Sequence, residues 1–367
     1  MSRKGYSLIS LLIVIVLLLV GCAPAAQPTA VTGPDEPKPA TQEPAKQLKI
    51  CATLSGMLGD KSYNDKFNEG ITKAINDFGV SAKLLEVKGT EDYESNLTAC
   101  AAGEYDFVIA MGPAYRDLIQ VAAKDFPEVK FAITDAIINP APANLMSIAF
   151  APNEGQFLVG AAMAMLTTKT EIPGINEEKV VGWITGGESP NINDFWLGFE
   201  QGVKYIDPEI VILKGVTGSF ADPIKGKEFA LAQYEQGADV IAQVAAGTGL
   251  GIIEAANEQK LFVVGVDADQ DNLAPGYVVT SMLKHIDIGV YLAIKSIIEG
   301  TFKGGGYQYM DLSTGGIALT DYSTFKNFWG DKFPEDIKAK TDELALKIIS
   351  GEIKVNTQPG IRPWESK

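Results

Sequence analysis

Between residues 48 and 150, short apolar runs rich in β-branched residues (LKICATL, AKLLEV, DFVIAM, KFAIT, MSIAF) alternate with stretches of helical apolar spacing at 64–79, 91–103 and 114–125. Strands alternating with helices predict a parallel, doubly wound sheet. A second series begins with the helix NEGQFLVGAAMAML. It continues through VVGWIT, EIVILKGVT, DVIAQVA, FVVGVDA and YVVTSML, with helices near 194–206, 225–237 and 249–260. The two series share no close residue repeat, so they predict two lobes alike in architecture only. After residue 283 the pattern leaves a helix, IGVYLAIKSIIEG, a Gly-rich turn, a strand-like GGIALT and a last helix, PEDIKAKTDELALKIISG. The length from residue 47 onward also exceeds one ordinary core and points to about two domains.

The polar positions that interrupt these runs gather at the ends of strands. GDKSYNDKFNEG (59–70) crowds Asp60, Tyr63 and Asn64 between an apolar strand and the helix that covers it. In open α/β sheets that edge is where ligands bind. Asp135 ends FAITD in the same lobe, and Asp267 and Asp269 end VVGVDAD in the other. A carboxylate in that place can accept two hydrogen bonds from neighbouring hydroxyls, as in a sugar diol. Lys284 follows the next run and can serve the same ligand or close a hinge salt bridge with one of the acids. Tyr63 and Phe67, and across from them Phe195 and Trp196, offer flat faces for a planar group; Phe67 also fits the core at its spacing to Ile71. AAGTGLGI departs from a dinucleotide fingerprint, because Ile252 stands where the last glycine belongs. Gly247, Gly249 and Gly251 still allow backbone amides to approach a ligand at a helix N-terminus, or they form a tight turn without one.

The N-terminus changes the compartment. Arg3 and Lys4 precede an apolar stretch from Ser7 to Val20 that stops at LVGC, which predicts a bacterial secretion signal over residues 1–21. Its length of about 14 residues is short of a membrane-spanning helix. LVGC resembles a lipoprotein lipobox, with Cys22 as the residue to be lipidated, and residues 22–46, rich in Pro, Ala and Thr, read as a disordered tether. The formal charge of −15 becomes about −17 once Arg3 and Lys4 are removed, which argues against nucleic acid and against membrane contact other than through the lipid. Cys51 and Cys100 then remain among apolar neighbours. Two buried free thiols is the default, and export permits a disulfide between them. With His285 as the sole histidine, no metal site, cofactor site, catalytic triad or acid–base pair is indicated.

In order over about 48–320, GDKSYND…EG, YDFVIAMG, FPEVKFAITDA, FAPNEGQFLVGAAMAM, VVGWITGGESPNINDFWLGFEQGVK, GKEFALAQYEQGADVIAQVAAGTGLG, VVGVDADQ and VVTSMLKHIDIGVY resemble the BMP or PnrA-like family. These are substrate-binding lipoproteins of ABC transporters, mostly nucleoside binders. The resemblance implies an α/β type I periplasmic-binding-protein fold, two doubly wound parallel-sheet lobes joined by a three-crossing hinge. Taken with the leftover tail elements, it places 47–148 plus 284–310 in one lobe and 149–283 plus 311–367 in the other. It also implies roles: Asn64 for hydrogen bonding, Tyr63 and either Phe195 or Trp196 for stacking, Asp135 on the first wall, Gly247 through its backbone, and Asp267 and Lys284 at the ribose end. Ser55 stands where nucleoside binders of the family tend to have an acid, and Tyr63 where they tend to have Phe. A base or another polar metabolite with a planar part is therefore an open alternative.

The expectation is a monomeric, lipid-anchored extracytoplasmic receptor, not an enzyme. It closes on a nucleoside, with a purine nucleoside favoured, and presents it to a permease driven by a separate ATPase. The rivals are a lipoprotein that senses a sugar or other small metabolite for a membrane receptor, and a secreted nucleoside hydrolase.

Overall fold

The computed structural model describes residues 47–362; the secretion signal, Cys22 and the tether expected from the sequence lie outside the described residues. The first series folds as β1 (Lys49–Thr53), α1 (Tyr63–Phe78), β2 (Ser81–Leu85), α2 (Asp92–Ala101), β3 (Phe107–Ala110), α3 (Arg116–Asp125), β4 (Lys130–Thr134) and β5 (Leu145–Phe150). The second runs through α4 (Pro152–Leu166), β6 (Val180–Thr185), α5 (Pro190–Ile206), β7 (Val211–Val216), α6 (Pro223–Glu235), β8 (Ala238–Val244), α7 (Thr248–Gln259), β9 (Phe262–Asp267) and β10 (Val278–Lys284). The tail forms α8 (Ile286–Ile298), β11 (Tyr307–Met310), β12 (Ile317–Leu319), α9 (Ser323–Trp329) and α10 (Glu335–Ile349).

Among the described residues there are two six-stranded sheets, ordered β11-β5-β4-β3-β1-β2 and β12-β10-β9-β8-β6-β7. Strand for strand, the second order repeats the first. Every pairing in the first sheet is parallel, as the strand–helix alternation predicts, and the second departs only at its edge, where β12 pairs antiparallel with β10. The chain leaves the first sheet after β5, returns after β10 to add β11, and leaves again to add β12. The fold is therefore two parallel-sheet lobes joined by three passes. β11 was legible only as a Gly-rich turn, because GGGYQYM carries too few apolar positions to read as a strand.

Capping explains where the helices begin. Ser189 Oγ accepts from Ile192 N (3.2 Å) with Pro190 in the first turn of α5, and Asp222 Oδ1 accepts from Lys225 N (3.1 Å) ahead of α6. α4 is buried almost all round, as a helix without a polar face must be. It lies against α5 at backbone contact: a Cβ on Gly198 or Gly202 would stand 2.0 Å from the carbonyl oxygen of Asn153 or Phe157. Cys51 on β1 and Cys100 on α2 are joined by a disulfide, with Cα atoms 5.4 Å apart. This corrects the default of two free thiols. Both are apolar and fully buried, which is why the sequence could not separate a pair of core residues from a bridge. Among the described residues, no helix is long and apolar enough to cross a membrane.

Candidate functional site

The C-terminal edges of both sheets face each other and are joined by side-chain hydrogen bonds. Ser62 Oγ shares its one proton between Val266 O and Asp267 Oδ2 (both 3.1 Å), and Gln270 Nε2 donates to Lys61 O (3.0 Å). On the first wall Asp60 is wholly engaged in capping α1. Its Oδ1 accepts from Ser62 N and Asp65 N, and its Oδ2 from Asn64 N and Nδ2 (2.8 Å each). Asn64 thereby turns its Oδ1 toward Ser55, whose hydroxyl donates across 3.4 Å.

The two lobes place an aspartate at matching positions. Asp135 follows β4 and Asp267 ends β9, strands that occupy the same place in the two sheet orders. Both have left-handed backbone, φ 57° and 65°, a cost that a non-glycine residue bears mainly at functional or over-determined positions. Lys284 stands between them: Nζ is 3.0 Å from Asp135 Oδ1 and 3.6 Å from Asp267 Oδ1. The Tyr63 hydroxyl donates to Asp135 Oδ2. Gly112 beside the phenol has φ 94°, a backbone conformation that favours glycine.

Rings surround the same ammonium. Its Nζ lies 4.5 Å from the ring centre of Tyr63, 5.4 Å from that of Phe195 and 5.6 Å from that of Phe150. Each is within reach of a cation–π attraction. Burial works against the charged Lys284, but the two carboxylates outweigh it and hold the group above the ordinary lysine value. Burial raises the carboxyl of Asp267 despite Lys284 beside it. The Tyr63 phenol is pushed well up, by burial first and the Asp135 charge second, so it stays a donor. One ammonium against two carboxylates leaves an excess of acceptor. Asp267 Oδ1 is buried and accepts no hydrogen bond. The cluster is therefore short of donors and lined with flat faces, a chemistry that suits a ligand carrying hydrogen-bond donors and a ring.

Of the residues singled out from the sequence, Tyr63, Asp135, Phe195, Asp267 and Lys284 come together, with Asn64 and Ser55 behind Tyr63. Trp196 does not join them. It packs against Trp183 (5.3 Å between ring centres) and under Lys214 (4.5 Å), on another side of α5. Of the two rings, Phe195 is the one beside Lys284. Gly247 faces the opposite wall, where a Cβ would lie 3.8 Å from Asp60 Cβ. Gly251 instead allows α7 to touch α6, since its Cβ would meet Pro223 O at 1.7 Å. Asp269 serves the local turn, accepting from Asp271 N.

Sequence reasoning missed Ser62, Phe150 and Gln270. Ser62 lies in the turn that holds Asp60, Tyr63 and Asn64, and Phe150 ends the apolar run MSIAF. Gln270, fully buried, holds Val266 N on Oε1 (2.9 Å) and Gln243 Nε2 (2.8 Å) as well as bonding Lys61. Its signal was an amide three residues past the acid in VDADQ.

Comparison with known proteins agrees with this architecture. The chain is 30% identical to a CD4+ T-cell-stimulating antigen of Listeria monocytogenes, over 98% of this chain and 100% of that one. It is 32% identical to basic membrane protein A of Borreliella burgdorferi, over 84% and 87%. A crystal structure of an ABC transporter solute-binding protein from Aeropyrum pernix K1 superposes with a TM-score of 0.79 at 28% identity, covering 85% of this chain and 94% of that one. The fold is thus that of the type I periplasmic binding proteins. Residues 47–359 match the family model described as ABC transporter substrate-binding protein, PnrA-like. The chain belongs to this family of substrate-binding proteins, whose members pair a small-molecule ligand with a permease.

Proposed function

We propose that the protein is a lipid-anchored receptor on the extracytoplasmic face of the cell membrane. It closes its two lobes on a nucleoside, a purine nucleoside above all, and delivers it to an ABC permease without catalysing a reaction. The observation that carries this reading is Asp267. Its buried Oδ1 lacks a hydrogen-bond donor and stands 3.6 Å from Lys284, among the faces of Tyr63, Phe150 and Phe195. An acceptor beside flat faces suits a molecule that joins a diol to a planar base. In this reading Asp267 and Lys284 take the ribose, Tyr63 and Phe195 the base, and Asn64, Ser55, Asp60, Asp135 and Gly247 shape the walls. LVGC and the tether after Cys22 support the anchor.

The test is a thermal-shift screen of residues 46–367, unfolded and refolded to remove carried-over ligand, against purine and pyrimidine nucleosides, free bases, ribose and hexoses. A ligand at 100 times its dissociation constant adds about 2.7 kcal/mol and raises the melting temperature by several degrees. A response confined to nucleosides, recovered intact, supports the reading. A response to sugars alone overturns it in favour of a sugar receptor, and consumption of the nucleoside in favour of a hydrolase.

A further inference from the structure

Residues 354–362 run along α5 from its middle to its first turn. Gln201 Nε2 donates to Lys354 O (3.0 Å), and Asn356 N donates to Gln201 Oε1 (2.6 Å). Nearer the helix start, Asp194 Oδ1 accepts from Thr357 Oγ1 (2.7 Å) and Gln358 N (2.8 Å). Arg362 completes the run: its Nη2 donates to Asp194 Oδ2 and to Asn153 Oδ1, both at 2.7 Å. Asp194 is 0% exposed and Arg362 4%.

These contacts join three parts of the molecule. Asn153 opens α4, immediately after the first pass between the sheets, and its Nδ2 also donates to Asn356 O (3.0 Å). Asp194 belongs to α5 in the second lobe. The Arg362 guanidinium lies 5.6 Å from the ring centre of Tyr309 on β11, an edge strand of the first sheet. Phe195, one residue beyond Asp194 and about 100° around the helix, carries the ring that faces Lys284. A buried ion pair adds little stability over an apolar substitute of the same size, but it fixes orientation, and an arginine does so through a rigid planar fork.

We propose that Arg362 is a positioning residue for ligand binding: by holding Asp194 against the hinge, it sets the direction in which α5 presents Phe195 to the cleft. The inference rests on the reading of that cleft as the ligand site. It assigns a binding role to a C-terminal segment outside the cluster of Tyr63, Asp135, Phe195, Asp267 and Lys284. Because Tyr309 belongs to the opposite lobe, the same guanidinium senses how the lobes stand at the hinge.

The test compares Arg362→Gln and Arg362→Lys with the parent chain from residue 46 onward, which forms one compact unit. Calorimetry with inosine reads affinity, and hydrogen exchange without ligand reads α5. Arg362→Gln is expected to weaken inosine binding about tenfold and to speed exchange over residues 190–198 while β8 and β9 stay protected. Arg362→Lys, which keeps the charge without the planar fork, is expected to recover only part of that loss. Parent-like affinity in Arg362→Gln, or faster exchange spread evenly over the second lobe, overturns the proposal and makes the segment a general staple. If the parent binds no nucleoside, that counts against the proposed ligand alone, and the exchange pattern decides this inference. If Arg362→Gln does not fold, Asp194→Asn takes its place with the same two readouts.

Discussion

Asp135 and Asp267 occupy matching positions in the two lobes, each in left-handed backbone at the end of a strand, and share one lysine. That side chain is one of the ties between the two lobes at the site. Asp267→Ala removes the carboxylate whose Oδ1 accepts no hydrogen bond while leaving Lys284 its partner Asp135. Nucleoside affinity is expected to fall at least 100-fold, about 2.7 kcal/mol, with cooperative unfolding retained; calorimetry and a urea titration read the two effects. Unchanged affinity removes Asp267 from the site.

Lys284→Met has a different signature. It leaves Asp135 and Asp267 facing a buried apolar side chain, and breaking one side of a buried pair costs about 3–5 kcal/mol. The melting temperature is expected to drop by several degrees even without ligand, which differential scanning calorimetry measures directly.

Phe195 and Trp196 are neighbours in sequence with separate surroundings. Phe195→Ala is expected to weaken nucleoside binding about 5- to 150-fold, the equivalent of about 1–3 kcal/mol for a lost stacking face. Trp196→Ala is expected to lower stability while leaving affinity within about twofold, because that ring packs on Trp183 and Lys214. Reversed results assign the stacking role to Trp196.

The acid limb of stability has an identifiable contributor. Burial pushes the Asp239 carboxyl up to about 6, although Thr167 Oγ1 (2.5 Å) and Asn176 Nδ2 (2.7 Å) donate to it. The folded chain therefore holds more protons than the unfolded one between about pH 4 and pH 6. This contribution to stability is fully present below the ordinary aspartate value and is lost as pH rises through about 6. Denaturant titrations at pH 4.5 and 7 are expected to show a smaller difference in Asp239→Asn than in the parent; an equal difference refutes the assignment.

The covalent link and the helix contact give two stability predictions. Replacing Cys51 and Cys100 together by Ser releases a loop with a sequence separation of 49 and is expected to cost up to about 4 kcal/mol. Gly198→Ala inserts a Cβ where only 2.0 Å separates it from Asn153 O, so α4 and α5 must part, at about 2–3 kcal/mol. Urea midpoints read both.

Much of this was legible in the sequence because apolar period and strand-end polarity are local signals. KFAIT is β4 residue for residue, and Asp135, Asp267 and Lys284 stand at the strand edges where alternation placed them. What could not be read depends on distance through space. Ser62 and Gln270 matter because a residue some 200 positions away is opposite, and Asp60 spends its oxygens on its own helix. Cys51 and Cys100 were apolar neighbours in two different elements until the fold brought them together. Arg362 lay in a tail without periodicity, where only the burial of its partner gives it meaning.

β11 closes the first sheet on the open side of β5, yet it is made from Tyr307–Met310, about 157 residues after Phe150. At about 5–20 residues per second, a ribosome needs roughly 10–30 s to supply it. For that interval β5, every residue of which ends up buried, is an unpaired apolar edge, the kind that recruits strands from other chains. The first sheet is therefore complete only after the chain has passed between the lobes twice, and neither lobe is a single contiguous cassette that relatives could exchange.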